Sequence, residues 1–93
     1  MDMEKINEVI GYLKSNNMKG SARYLLNVEI CWINWKACNR RRYIKDLLNW
    51  YDEFRASLRG NKNETVSAYL HELNSMVDEV KFLGLKRKPK CYL

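Results

Sequence analysis

Residues 21–59 read SARYLLNVEICWINWKACNRRRYIKDLLNWYDEFRASLR, and this stretch decides the fold. Leu26, Ile30, Ile33, Ala37, Arg40, Ile44, Leu47, Tyr51, Phe54 and Leu58 follow one another at alternating steps of four and three. Side chains at that spacing stack on one face of an α-helix. Arg40 is the charged member of an otherwise apolar run. No proline interrupts the stretch, and Gly60-Asn61 stands where a helix C-cap belongs. The expectation is one long central helix over about 21–59 that the remaining segments pack against.

A second stripe, Leu25, Val28, Trp32 and Trp35, runs beside the first. A helix apolar on two faces is buried on two sides. A strand over residues 28–35 fails on alternation, because Cys31, Ile33 and Trp35 are apolar as well as Val28, Ile30 and Trp32. A helix-turn-helix near residues 3–38 is a further reading. It makes 22–26 a short helix, Asn27 a turn residue in left-handed conformation, and the long helix start near Val28. Residues 22–36 resemble the helix-turn-helix elements of small phage regulators. They depart from them in having Asn27 for the turn glycine and Arg23 for a small core residue, so no residue's role is carried across.

Working outward, Asp2 is placed to cap a first helix over about 3–15, with Glu4 in its first turn and Ile6, Val9, Ile10 and Leu13 as its stripe. Residues 16–21 compose a turn, with Ser21 as the cap of the central helix. Residues 60–63 compose the second turn. Asn63 or Thr65 caps a third helix, whose stripe is Val66, Tyr69, Leu70, Leu73, Met76, Val77, Val80 and Leu83, and Gly84 ends it. The fold class is therefore all-α: a long central helix flanked by a short N-terminal and a medium C-terminal helix. Residues 1–85 form one helical domain and 86–93 a basic tail. The central helix outruns its third-helix neighbour, and 46% of this small chain is hydrophobic. Both features predict a homodimer, built coiled-coil fashion along the heptad-like stripe.

Seventeen Lys and Arg stand against eleven Asp and Glu, a net charge of +6. The excess is concentrated: residues 34–62 hold Lys36, Arg40, Arg41, Arg42, Lys45, Arg55, Arg59 and Lys62 against Asp46, Asp52 and Glu53. Lys36 with Arg40, and Arg41 with Lys45, are like-charge pairs at i, i+4, mildly destabilising to a helix unless an anion uses them. The function expected is a small, non-enzymatic regulatory protein, as in transcription regulation. It binds nucleic acid, DNA ahead of RNA, through a basic helix face of Lys36, Arg40, Arg41, Arg42 and Lys45 assisted by Lys86, Arg87 and Lys88. The alternative is a protein-binding adaptor or inhibitor, as small viral or phage factors are, holding a host protein through Trp32, Trp35 and Trp50.

Other chemistry finds little footing. No Gly-rich phosphate loop is present. Cys31, Cys38, Cys91 and the single His71 lack the close pairing of zinc ligands, and no nucleophile is joined to a base by spacing. No metal, cofactor or small-molecule substrate is expected. An odd cysteine count and the opening Met-Asp-Met-Glu-Lys predict a reducing, cytoplasmic setting. No apolar run approaches the ~20 residues that span a bilayer, so no membrane partner is expected.

Overall fold

The structure is a computed structural model that describes residues 1–86, with side chains through residue 82. It contains four α-helices: α1 (Met3–Ser15), α2 (Lys19–Cys38), α3 (Arg41–Ser57) and α4 (Glu64–Lys86). No strand occurs among the described residues.

The long central helix is therefore two helices. Asn39 adopts the left-handed conformation (φ 59°, ψ 26°), and its amide donates to the Trp35 carbonyl at 2.6 Å. Arg40 is extended (φ −89°, ψ 131°), and α3 starts at the next residue. Asn enters the left-handed region at little cost. The reversal folds α3 back along α2 as an antiparallel helical hairpin and buries one face of each helix against the other. That burial is worth about 1.5–3 kcal/mol per large apolar side chain, which exceeds what continuing the helix would contribute.

The break also reassigns the stripe. On α3, Ile44, Leu47, Tyr51 and Phe54 face the core, with Leu47 and Phe54 fully buried. On α2 the buried side is the second stripe: Ala22, Leu25, Val28, Cys31, Trp32 and Trp35. Leu26, Ile30 and Ile33 lie on the opposite, exposed side. The helix-turn-helix reading fails at the same place, because α2 runs uninterrupted through Asn27 and the chain turns at Asn39 instead.

Helix α1 has the expected bounds. Asp2 accepts from the Lys5 amide at 3.2 Å, and Ile6, Val9, Ile10 and Leu13 are buried. Asn17 turns the chain in the left-handed region (φ 62°), and the Met18 amide returns to the Leu13 carbonyl at 2.8 Å. Helix α2 then begins at Lys19 without a side-chain cap. Ser21, expected to be that cap, is inside the helix and buried. Gly60 takes a positive φ of 84° in the turn after α3, where a side chain would be strained. Asn63 caps α4 by accepting from the Thr65 amide at 2.8 Å. Helix α4 continues past Gly84 to Lys86, further than the glycine predicted.

Each helix runs antiparallel to the one before it, and α1 closes the bundle against α4. The Tyr12 and Tyr69 rings meet edge-on at 5.5 Å, the Tyr69 hydroxyl donates to Glu8 at 2.9 Å, and Lys5 pairs with Glu72 at 3.1 Å. Asn63 Nδ2 also donates to the Tyr12 hydroxyl at 2.9 Å. Between α3 and α4, the Tyr51 hydroxyl donates to Asn74 Oδ1 at 2.5 Å. That bond fixes the register of α4 along α3.

Candidate nucleic-acid interface

The connection between α2 and α3 is a basic tip. Lys36 lies in the last turn of α2, Arg40 is the N-cap residue of α3, Arg41 and Arg42 open α3, and Lys45 follows one turn later. All five are exposed. The hairpin thus gathers on one end of the bundle what a continuous helix would have spread around its circumference. Arg41 and Lys45 share the outer face of α3.

The electrostatics of this tip are unusual for a helix start. A helix N-terminus carries partial positive charge, and carboxylates there are favourable. Helix α3 has no acidic residue in its first turn and no side-chain cap. Three guanidinium groups occupy the positions where anions would be stabilised. The C-terminal carbonyls of α2 lie beside them and offset part of the repulsion, as they do for Lys36. Among the described residues, no carboxylate forms an ion pair with Lys36, Arg40, Arg41, Arg42 or Lys45.

Two of the cations are held by aromatic faces. The Arg42 guanidinium lies 5.0 Å from the Tyr43 ring centre and donates to the Tyr43 hydroxyl at 3.1 Å. Lys36 Nζ lies 5.9 Å from the Trp32 ring centre. Such contacts orient a cation without neutralising it. Arg40, Arg41 and Lys45 are exposed and make no aromatic contact among the described residues. Lys86 ends α4; Arg87 and Lys88 lie outside the described residues.

The tryptophans are placed differently from the expectation. Trp32 and Trp35 stack on each other at 5.3 Å in the core, 7% and 8% exposed, so neither offers a partner its face. Trp50 is 37% exposed beside Tyr24. The apolar surface that does remain open is Leu26, Ile30 and Ile33 on α2, 39%, 47% and 53% exposed. The four-three spacing marks this stripe in the sequence, but the same spacing is what a core-facing stripe has.

Cys31 is buried, and burial together with nearby Asp46 pushes its thiol up from its ordinary value, the reverse of an activated nucleophile. Cys38 and His71 are exposed on different helices. Among the described residues, no three His, Cys, Asp or Glu side chains gather as a metal site, and no helix is long and apolar enough to cross a membrane. Comparisons with protein-family models, curated proteins and solved structures each found no match.

Proposed function

We propose that this protein is a small non-enzymatic binding protein that holds nucleic acid through the α2–α3 tip, in a regulatory role. The observation that carries this reading is the triplet Arg40, Arg41 and Arg42. It stands exposed at the N-terminus of α3, where it opposes the helix dipole, and among the described residues it forms no ion pair with a carboxylate, Asp46 acting on Arg42 only at longer range. An anion at that place removes the penalty and meets backbone amides and guanidinium groups together. A phosphate backbone supplies such anions at close spacing. Duplex DNA is favoured over RNA, because single-stranded RNA is recognised largely by stacking on exposed aromatic rings and two of the three tryptophans are in the core.

The test is a salt titration of binding to a generic duplex DNA and a generic RNA, beside the triple variant Arg40→Ala/Arg41→Ala/Arg42→Ala. Affinity should fall steeply between ~50 and ~200 mM salt, and the variant's log–log slope should be shallower by about 2–3, one per lost phosphate contact. Absence of binding at the low-salt end refutes the reading.

A second reading, a protein-binding adaptor or inhibitor, draws its support from the exposed Leu26, Ile30 and Ile33 rather than from Trp32 and Trp35.

A further inference from the structure

Helix α2 carries two apolar faces, and the bundle uses one of them. On the other, Leu26, Ile30, Ile33 and Ala37 fall in a band about 60° wide at steps of four, three and four, the seam of a two-stranded coiled coil. All four are exposed. The band sits in the middle of the open arc of α2. Asn27 and Asn34 flank it on one side, and Glu29 and Lys36 on the other. By contrast, the apolar stripes of α1 and α3 are covered within the chain.

We infer that this face binds the same face of a second copy of the chain, antiparallel, about a two-fold axis midway between Ile30 and Ile33. Leu26 then meets Ala37 of the second copy, and Ile30 meets Ile33 of the second copy, each contact occurring twice. Large opposes small at the outer layers, and β-branched opposes β-branched at the inner ones.

Charge selects this partner and this direction. Glu29 comes opposite Lys36 of the second copy, and Asn27 opposite Asn34 of the second copy, twice each. Glu29 is half-buried, and its Oε2 is shielded from water with no hydrogen-bond donor among the described residues. A lysine arriving on that flank gives this shielded oxygen a charged donor. Parallel pairing would instead bring two Arg40–Arg41–Arg42 tips side by side, whereas antiparallel pairing separates the triplets and sets each level with the fewer cations Lys19 and Arg23 of the second copy. The contact covers on the order of 1,000 Å² over both copies, the lower edge of specific interfaces. The dimer is accordingly one of micromolar strength, and it presents two separated basic tips.

The experiment is sedimentation velocity on the full chain from ~1 to ~500 µM, a range bracketing micromolar association. Five forms are compared: wild type, Ile30→Asp/Ile33→Asp, the single changes Glu29→Lys and Lys36→Glu, and the two single changes combined. Circular dichroism checks the fold of each. Wild type should shift from monomer to dimer across the range, and Ile30→Asp/Ile33→Asp should remain a folded monomer throughout. Each single charge change should weaken association ~10-fold, and the combined exchange should restore it, because the pair is rebuilt with its signs reversed. A wild-type chain that stays monomeric to the top of the range overturns the inference and leaves this face to a different protein. A dimer that survives Ile30→Asp/Ile33→Asp shows that another surface pairs. Failure of the combined exchange to restore affinity rejects the antiparallel register. None of these outcomes depends on nucleic acid.

Discussion

The Ser21 and Ser57 hydroxyls lie 2.7 Å apart at the end of the α2–α3 hairpin remote from the arginine tip. Ser57 gives its one proton to the Phe54 carbonyl at 2.6 Å, so Ser21 is the donor between them. Two residues far apart in sequence thereby fix where α2 lies along α3. Ser21→Ala removes a part-buried donor, and Ser57→Ala removes its acceptor. Each should cost about 1 kcal/mol in urea denaturation, with a coupling of about 0.5 kcal/mol or more in the double-mutant cycle. Additive effects would show that the hydroxyls do not interact.

Arg40 sets stability against binding. It occupies the N-cap of α3 without a side-chain cap bond, with no acidic residue in the turn that follows. Arg40→Asp supplies both a cap and a favourable charge, and should stabilise the fold by about 1 kcal/mol. The same change should weaken DNA binding. Thermal denaturation and a binding titration on one sample test both signs. A variant that loses stability would show that the tip is not strained by its own charge.

Asn39 is the hinge on which the topology turns. Its φ of 59° is tolerated by Asn and Gly and resisted by β-branched residues. Asn39→Gly should stay within about 1 kcal/mol of wild type, and Asn39→Val should cost about 1–2 kcal/mol or more. Equal stability of the two variants, read from denaturation midpoints, would contradict the left-handed cap. Nothing in the local pattern announced this residue. A stripe at alternating four and three continues in phase across Cys38–Arg41 whether or not the helix does, since periodicity records spacing and not direction.

Tyr51 links the fold to alkaline pH. Burial holds its phenol well above the ordinary value of 10.0. The unfolded chain loses this proton at its ordinary value while the folded chain retains it. The stabilising contribution is therefore full below pH 10 and is lost progressively as pH rises toward the folded value. Stability measured from pH 9 to 12 should fall, and fall less steeply in Tyr51→Phe, which at neutral pH should cost about 1 kcal/mol for the lost bond to Asn74. Identical slopes in the two proteins would remove Tyr51 from the account.

Local sequence determined the elements whose signals are local. Asp2 and the spacing from Ile6 to Leu13 define α1, Asn63 opens α4, and the stripe from Ile44 to Leu58 picks out the core face of α3. The basic cluster was equally legible, because charge is read from composition. Tertiary structure alone decided three matters: that the long helix folds back at Asn39, that α2 buries Val28, Trp32 and Trp35, and that Leu26, Ile30 and Ile33 are left outside. A helix with two apolar stripes can bury either. The choice falls to whichever face the returning α3 and the incoming α1 cover, and the larger indole surfaces lose more contact with water when that face is inside.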